Sequence, residues 1–570
     1  MTQKKWQLLE TDAKLDLMSK TLGISQITAN VMANRNLRSK KTALAFLSPS
    51  LDAMYQTLDM EGAQVVLERI GTSIDRREKT VIYGDYDVDG IMSTVILQKV
   101  LTRLGADVSY YIPHRQEEGY GLNKNAVTKL AADGVKLIIA VDNGVSAIEE
   151  VELAVSLGVD VLIIDHHEQG ENLPPAVGIV DPKQQGCNYP FKEMCAAGLV
   201  FKIVSALCKH LNAPFLERDE MLTLAAIATV CDIVPLTDEN RIIVNCGMTI
   251  LNANKLINPG LGSLITLRGY LDKPIDTFTV SFVIGPCLNA TGRLESASLS
   301  VDLLLTGEDD RRRIELAHKL AELNEERKSL TADCVERVME GVDMQNPDKV
   351  LVICDTEAHE SIAGIVAGRV REATNRPTIL LTRGDGEMKG SGRSIPAFNL
   401  FEALNANRDL FLRFGGHAMA AGITMTAENI PILREALNRE CQLTDEDFCP
   451  VLYVDRELKL DEVTLALSDE LARLVPFGKG NEEPLFVSRG VFAENVRIID
   501  EKNTLIFTFF TSMGKLKGIA FGLNQLYAER VGEKNSELTM DVVYAVETNV
   551  YNGVASVQMR IRDFRVSQAE

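Results

Sequence analysis

From residue 79 onward, short apolar runs alternate with longer amphipathic runs along the chain. The apolar runs predict β-strands, and the amphipathic runs predict helices. The predicted strands are residues 80–83, 108–112, 136–141 and 160–164, and the predicted helices are residues 91–104, 124–132 and 147–157. Such alternation gives a parallel sheet with helices on both faces. In these sheets, ligands bind at the carboxyl ends of the strands.

Two other patterns organise the rest of the chain. Residues 309–340 predict a long, highly charged helix with an apolar stripe of Ile314, Ala317, Leu320 and Leu323. Because this helix lies between two α/β segments, we expect it to connect them, with a solvated helix on a single core as the alternative. The second α/β unit begins at Lys349 and runs to about residue 447. From Leu452 onward, short alternating runs predict a small β-barrel.

Composition places the chain among soluble globular proteins. Its 570 residues are too many for one core, which suggests about three or four domains. Hydrophobic residues make up 46% and charged residues 25%, and no apolar run reaches the length of a signal peptide or a membrane span. The ten cysteines are scattered without a Cys-x-x-Cys pair, so a reduced cytoplasm fits better than secretion.

The net charge of −20 is only a weak argument against a nucleic-acid ligand. Binding depends on the local field rather than on total charge, and bound cations offset several acidic ligands. We therefore expect a confined basic groove on an acidic protein.

Acidic and imidazole side chains follow three of the predicted strands. Asp85, Asp87 and Asp89 come directly after the first strand, Asp142 follows the third, and Asp165-His166-His167 follows the fourth. Carboxylates crowded at the end of a buried strand repel one another, and a hard divalent cation is the usual compensation. Oxygen ligands with imidazole and without thiolate favour Mg²⁺ or Mn²⁺, with Zn²⁺ as an alternative.

Each of these aspartates also has a simpler interpretation as a loop cap or turn residue. For Asp85 and Asp165 that interpretation stays open, since either side chain could orient a neighbouring ligand instead of binding a cation itself.

A second candidate site is the stretch Lys389-Gly-Ser-Gly-Arg-Ser394. We expect a small-residue loop there, in which glycines let backbone N–H groups approach an anion while Arg393 grips phosphate. Taken alone, the same stretch is equally typical of a plain turn.

Four longer stretches resemble one branch of the DHH phosphoesterase superfamily, the RecJ-type single-strand-specific exonucleases. They are Tyr-Gly-Asp-Tyr-Asp-Val-Asp-Gly (83–90), Pro-His-Arg-Gln-Glu-Glu-Gly-Tyr-Gly-Leu (113–122), Asn-Ala-Thr-Gly-Arg-Leu (289–294) and Gly-Gly-His-Ala-Met-Ala-Ala-Gly (415–422). The resemblance runs from about residue 75 to the C-terminus and keeps the family's order.

The resemblance implies two cations, Mn²⁺ or Mg²⁺, with Asp87, Asp89, Asp142, His166 and Asp232 as ligands. It places His167 beside the scissile phosphate as the catalytic group, with Asp85 and Asp165 as supporting candidates. Related phosphatases carry a histidine four residues before the first aspartate of the Asp-x-Asp pair. This chain has Tyr83 there, and Asp85 is the candidate substitute.

The resemblance also implies residues that hold DNA, namely Arg115, Arg293, Arg369, Ser391, Arg393 and His417. Of these, Arg115, Ser391 and Arg393 are implied at a pocket for the 5′-phosphate.

The implied fold class is α/β, with a parallel-sheet DHH domain and an α/β DHHA1 domain joined by a long helix, plus a C-terminal OB-like β-barrel. The expected bounds are 1–70 for a segment that packs on the catalytic domain, 71–306 for the DHH domain, 307–341 for the helix, 342–447 for DHHA1 and 448–570 for the OB-fold.

The implied function is a metal-dependent exonuclease that degrades single-stranded DNA from 5′ to 3′ in DNA repair and recombination. We expect a cytoplasmic monomer with single-strand-binding protein as a partner and no membrane association. One alternative is a DHH-type phosphodiesterase for cyclic dinucleotides or short oligoribonucleotides, but such enzymes usually lack a barrel like residues 452–570. The other is a non-catalytic scaffold, which would have no need of a complete ligand set.

Overall fold

The computed structural model describes residues 4–10, 14–115, 117–307, 309–384, 386–512, 514–532 and 538–567. The chain forms two compact units, Leu51–Phe448 and Met1–Ser50 together with Cys449–Glu570. Within the described ranges, none of the helices combines the length and the apolar character needed to cross a membrane.

In chain order, the α-helices are α1 (Leu15–Leu22), α2 (Gln26–Asn34), α3 (Lys40–Leu47), α4 (Ala63–Arg76), α5 (Val88–Arg103), α6 (Lys124–Ala132), α7 (Ile148–Ser156), α8 (Ala196–His210), α9 (Arg218–Cys231), α10 (Asp238–Ala253), α11 (Pro259–Leu267), α12 (Thr277–Thr279), α13 (Gly285–Leu294), α14 (Ser298–Leu305), α15 (Asp310–Glu340), α16 (Ala363–Thr374), α17 (Leu400–Asn405), α18 (Ile430–Glu440), α19 (Leu465–Ala472) and α20 (Asn524–Arg530). A π-helical turn, Val280–Ile284, joins α12 to α13.

The β-strands are β1 (Lys5–Leu8), β2 (Thr80–Tyr83), β3 (Val108–Tyr111), β4 (Leu137–Val141), β5 (Asp160–Ile164), β6 (Gly178–Val180), β7 (Leu351–Cys354), β8 (Thr378–Arg383), β9 (Met388–Arg393), β10 (Phe411–His417), β11 (Ala420–Met425), β12 (Val451–Val454), β13 (Arg456–Glu457), β14 (Phe486–Ile499), β15 (Thr504–Thr511), β16 (Gly514–Phe521), β17 (Leu538–Tyr551) and β18 (Val554–Val566).

The first sheet of the larger unit is parallel and has the order β3-β2-β4-β5-β6. Thr80 of β2 pairs with Leu137 of β4, which in turn pairs with Asp160 of β5. The central strand β4 is buried along its whole length, as expected for a strand covered on both faces. The carboxyl ends of β2, β4, β5 and β6 therefore lie side by side, which confirms the predicted parallel sheet and adds a strand, β6, that we did not predict.

Helices cover this sheet on both sides. Helices α5, α8 and α9 contribute to one large apolar core, while α6 and α7 contribute to a smaller core with the other strand faces. Asp87 caps α5 by accepting hydrogen bonds from the backbone N–H groups of Asp89 (2.8 Å) and Gly90 (3.1 Å). The helix therefore begins inside the acidic turn.

Helix α15 connects two cores. Its first half buries Leu316, Ala317 and Leu320 in the core of the first sheet, and its second half buries Cys334 and Val338 in a core shared with α16. The apolar stripe differs from the prediction at one position. Ile314 is 52% exposed, because the buried face of the helix is centred on Leu316 and Leu320 instead.

The second sheet of this unit has the order β10-β11-β9-β8-β7, with β7 and β8 parallel and the remaining pairs antiparallel. The glycine-rich stretch predicted as a loop is strand β9. A Cβ on Gly390 would lie 2.8 Å from the backbone oxygen of Leu380 on β8. Glycine is needed here so that neighbouring chains can approach closely, and strand pairing overrides the local preference for a turn.

The smaller unit is a barrel. Its strands follow the order β13-β14-β15-β16-β18-β17, and β14 also pairs with β17 to close the sheet. Helices α2 and α3 add Met32 and Phe46 to the barrel core, and β1 pairs in parallel with β12. Residues 1–50 thus group with the barrel, whereas we expected residues 1–70 to pack on the catalytic domain. The long-range pairing of β1 has no local signature in the sequence.

Candidate metal centre and anion cavity

The carboxyl edge of the first sheet gathers the predicted ligands into overlapping groups. Within each group the ligand atoms lie within 4.8 Å of one another, and the groups are Asp85-Asp87-Asp142, Asp89-His166-Asp232 and Asp142-His166-His167. The His166 Nε2 atom is 3.2 Å from Asp142 Oδ1 and 3.7 Å from oxygens of both Asp89 and Asp232. Because the groups share Asp142 and His166, the cluster has donors for two neighbouring cations.

The backbone fixes two of these carboxylates. Asp89 accepts hydrogen bonds from the N–H groups of Ala196 (2.7 Å) and Ala197 (2.8 Å), which begin helix α8. A helix N-terminus stabilises an anion there. Asp142 follows β4 with a left-handed φ of 60°, which aspartate and asparagine adopt more readily than most residues.

The cluster is short of positive charge. Asp85, Asp89 and Asp142 are each at most 3% exposed. Burial and the charge of Asp87 raise the pKa of Asp89 to about 6, despite its bonds to α8. Burial and the neighbouring aspartates also raise the pKa values of Asp85 and Asp142 well above normal. The fold therefore disfavours the carboxylates in their charged form unless a cation joins them.

One buried oxygen supports the same conclusion. Among the described residues, Asp85 Oδ1 has no hydrogen-bond partner although it is inaccessible to solvent. A carboxylate oxygen in this state is costly without a cation. Oxygen-rich donors with one neutral imidazole fit Mg²⁺ or Mn²⁺.

The two adjacent histidines are in opposite electrostatic environments. Burial, aided by the charge of His167, lowers the pKa of His166 to about 3, so its imidazole is neutral and suited to binding a cation. Burial also opposes protonation of His167. The hydrogen bond and charge of Asp165 outweigh that effect and raise the pKa of His167 to about 9. His167 Nδ1 lies 2.7 Å from Asp165 Oδ1.

The structure separates Asp85 from Asp165, for which the sequence left the roles open. Asp85 falls in a ligand group with Asp87 and Asp142. Asp165 instead accepts hydrogen bonds from the N–H groups of His166 (2.8 Å) and Val145 (3.1 Å) and contacts His167. Burial would raise the pKa of Asp165, but these bonds lower it overall. Asp165 thus orients the strand end and His167.

Tyr83, which occupies the position of the usual histidine, is fully buried. Its hydroxyl donates to the oxygen of Gly121 (3.1 Å) and accepts from the side chain of Asn123 (3.0 Å), and its ring stacks on Tyr111 at 5.2 Å. In the described part of the chain it joins none of the ligand groups.

A cavity of about 790 Å³ lies in the same unit, and its lining includes Arg115, Arg293, Ser391 and Arg393. Arg393 donates to Ser391 Oγ at 2.9 Å. A Cβ on Gly364 would lie 2.7 Å from the Arg393 guanidinium, so a glycine is required opposite this pair. The Arg115 guanidinium lies 4.8 Å from the ring centre of Tyr86, which stands between Asp85 and Asp87.

The cavity is strongly cationic. Burial and the charges of Arg115, Arg327 and Arg393 lower the pKa of Arg293 to about 9. Burial and the charges of Arg115 and Arg371 lower the pKa of Arg393. Guanidinium groups that repel one another in a partly enclosed space favour an anionic ligand. This is the confined basic groove that we expected on an acidic protein.

Two predicted DNA-binding residues lie outside the cavity lining. Arg369 is exposed on α16 and lies 3.5 Å from Glu372. His417 is exposed at the end of β10, in register with Ala420, which pairs with Arg393.

Three residues near the site were not predicted. Tyr120 donates its hydroxyl to the backbone oxygen of Asp142 (3.0 Å) and lies 3.4 Å from both ring nitrogens of His167. Asp181 is buried after β6, and burial raises its pKa to about 6. A carboxylate after an apolar run was a usable signal for Asp181. Arg327, on the highly charged α15, had none.

Comparisons with known proteins agree with this arrangement. The DHH family N-terminal domain matches residues 79–229, the DHHA1 domain matches 348–443, and the RecJ OB domain matches 454–563. A single-stranded-DNA-specific exonuclease RecJ from Bacillus subtilis is 36% identical, covering 100% of this chain and 71% of the relative. The Escherichia coli protein of that name is 30% identical, covering 97% of each chain.

Solved structures agree as well. RecJ from Thermus thermophilus in complex with Mn²⁺ superposes with a TM-score of 0.85 and 28% identity, covering 99% of this chain and 80% of the other. The complex of that protein with Mg²⁺ superposes with a TM-score of 0.79 and 26% identity, covering 99% and 79%.

Two buried aspartates should respond oppositely to loss of charge in the metal-free protein. Asp142→Asn should maintain or raise thermal stability at neutral pH, because the raised pKa shows that the fold favours the uncharged form. Asp165→Asn should cost about 1–3 kcal/mol, because the lowered pKa shows that the fold favours the charged form. Thermal unfolding in EDTA measures both. Asparagine also tolerates the left-handed backbone at residue 142.

Addition of Mn²⁺ provides the control. It should stabilise the wild type by roughly 2.7 kcal/mol at a hundred times its dissociation constant, and stabilise Asp142→Asn less. Equal stabilisation of both proteins by Mn²⁺ would remove Asp142 from the cation site.

Proposed function

This chain belongs to the RecJ family of single-stranded-DNA-specific exonucleases, and from that premise we propose that it removes nucleotides from single-stranded DNA in the 5′ to 3′ direction. Its relatives confirm the predicted fold class, the exonuclease class and the choice of Mn²⁺ or Mg²⁺. The observation that carries the proposal is one shared turn. Asp85 and Asp87 belong to the acidic cluster, and Tyr86 between them contacts Arg115 of the anion cavity.

We assign the cation ligands to Asp87, Asp89, Asp142, His166 and Asp232, with Asp85 in place of the missing histidine. The Asp85-Asp87-Asp142 group and the Asp89-His166-Asp232 group support two adjacent ions. Bound cations would acidify a water molecule and neutralise charge on the phosphate oxygens.

We assign the proton to His167. Its raised pKa keeps the imidazole protonated at neutral pH, and Asp165 holds Nδ1, which leaves Nε2 for the substrate. From Nε2, His167 would donate a hydrogen bond or proton to an oxygen of the scissile phosphate. The Tyr120 hydroxyl restrains the same ring.

We assign recognition of the 5′-phosphate to Arg115, Ser391 and Arg393, with Arg293 behind them. A terminal phosphate carries more charge than an internal one and suits a partly enclosed cluster of guanidinium groups. Arg369 and His417 lie outside this cavity, so we assign them contacts with other phosphates of the strand.

The remaining family expectations are part of the proposal. They are a cytoplasmic monomer, a role in repair and recombination, and single-strand-binding protein as a partner. The two alternatives have less support. A match to the RecJ OB domain over residues 454–563 favours a polymeric substrate over a cyclic dinucleotide. The mutually repelling carboxylates favour catalysis over a scaffold.

Removal of the Arg393 guanidinium should discriminate between strand ends. Arg393→Ala should weaken binding of a 5′-phosphorylated single strand by about one to two decades, because a charge-assisted contact contributes roughly 1.5–3 kcal/mol. A strand with a 5′-hydroxyl should lose less. The measurement is nucleotide release from strands labelled at either end, with Mn²⁺ or Mg²⁺ present.

Arg439→Ala on α18, an exposed arginine that does not line the cavity, is the matched control and should resemble the wild type. Equal losses of Arg393→Ala on both strands would move end recognition elsewhere. Release that begins at the 3′ end, or that does not depend on a divalent cation, would contradict the proposed activity.

The two histidines should separate chemistry from cation binding. His167→Gln should lower the saturated rate by about 10²–10⁴-fold while Mn²⁺ affinity stays within about tenfold, because general acid–base catalysis contributes that much. His166→Gln should lose both rate and affinity. Calorimetric titration with Mn²⁺ and the rate at saturating DNA give the two readouts. If His167→Gln also loses Mn²⁺ affinity, His167 is a ligand, as the third ligand group would allow.

A further inference from the structure

Two phenylalanines are exposed beside the site and have no assigned role. Phe278 lies in α12 and Phe282 in the π-helical turn, and each is 61% exposed. Their ring centres are 4.7 Å apart with planes tilted by 32°. Four residues apart, they occupy one helix face, while Val280 and Ile284 are fully buried on the other. Large paired aromatic side chains in water are unusual unless a ligand covers them.

The helical segment that carries the pair runs along the acidic cluster. A Cβ on Gly285 would lie 2.5 Å from Cys231 Sγ, and Cys231 directly precedes the ligand candidate Asp232. Further along, the Asn289 side chain accepts a hydrogen bond from Val88 N (3.1 Å) in the acidic turn. The segment therefore contacts two elements that supply ligands.

The far end of the segment reaches the anion cavity. A Cβ on Gly292 would lie 2.5 Å from the backbone oxygen of Tyr86, and Arg293 lines the cavity. Eleven residues separate Phe282 from Arg293, which corresponds to a length on the order of 15 Å. Along one rigid segment the order is thus aromatic pair, acidic cluster, cationic cavity.

We propose that Phe278 and Phe282 form a stacking surface for bases of the single-stranded DNA on the 3′ side of the scissile phosphate. Aromatic side chains stack on any base, so the contact is independent of sequence. The π-helical turn, a distortion common at functional sites, keeps both rings on the exposed face next to the cluster. This inference rests on the proposed function, since the 3′ side is defined by a 5′-phosphate in the cationic cavity.

Substitution by an apolar residue without a ring tests the stacking. Phe282→Leu should raise the KM for release of the first nucleotide by roughly five- to hundredfold, with a saturated rate within about threefold of wild type. Phe282→Trp, which keeps an aromatic face, should behave as the wild type. Leu216→Ala removes an even more exposed apolar side chain (76%) from the same unit and should have no effect.

A scan with abasic nucleotides gives a readout that a structural role would not change. For the wild type, one abasic nucleotide at an internal position should raise KM, and an abasic 5′-terminal nucleotide should have little effect. For Phe282→Leu, the sensitivity at the internal position should disappear. If wild type and Phe282→Leu respond alike at every position, or if Phe282→Trp is as impaired as Phe282→Leu, the stacking surface is wrong.

Other results also decide. If Phe282→Leu leaves KM unchanged but alters the sedimentation of the free protein, the pair is a self-association surface and the inference falls. Failure of the proposed function looks different, because the wild type itself would then release no nucleotide from a 5′-phosphorylated strand.

Discussion

Mutual repulsion among buried carboxylates is the constraint on which the rest of the structure depends. Parallel pairing brings the ends of β2, β4 and β5 together, so Asp85, Asp89 and Asp142 meet in a space that excludes water. Their raised pKa values follow from burial and from one another's charge. A cation removes this penalty, and the ligand geometry that it needs is set by the sheet rather than by flexible loops.

Several helices serve both packing and the site. The first N–H groups of α8 hold Asp89, the last turn of α9 leads to Asp232, and the segment containing α13 passes the acidic turn before reaching Arg293. A change that shifts one of these helices would alter both the core and the ligand positions. The negative cluster and the positive cavity are therefore held at a fixed distance, which suits a strand with its terminal phosphate in one and its first linkage at the other.

Much of this arrangement follows from local patterns. Strands β2 and β5 and helix α6 match the predicted bounds, because apolar runs and capping residues are visible within a few residues. Tertiary context decided the rest. The glycines of β9 favour a turn locally but pair with β8 and β11, and β1 pairs with β12 across more than four hundred residues. Neither pairing has a local signature. Asp85 and Asp165 look alike in sequence and differ only in their spatial neighbours, Asp142 for one and His167 for the other.

The most direct test of the account is the number of protons released when Mn²⁺ binds. Because the pKa of Asp89 is raised to about 6 and those of Asp85 and Asp142 are also raised, the metal-free cluster carries protons that a cation must displace. Titration calorimetry in buffers of different ionisation enthalpy counts them. The account predicts proton release near pH 6, with weaker release and tighter Mn²⁺ binding as pH rises towards about 8. Equal affinity across this range without proton release would contradict it.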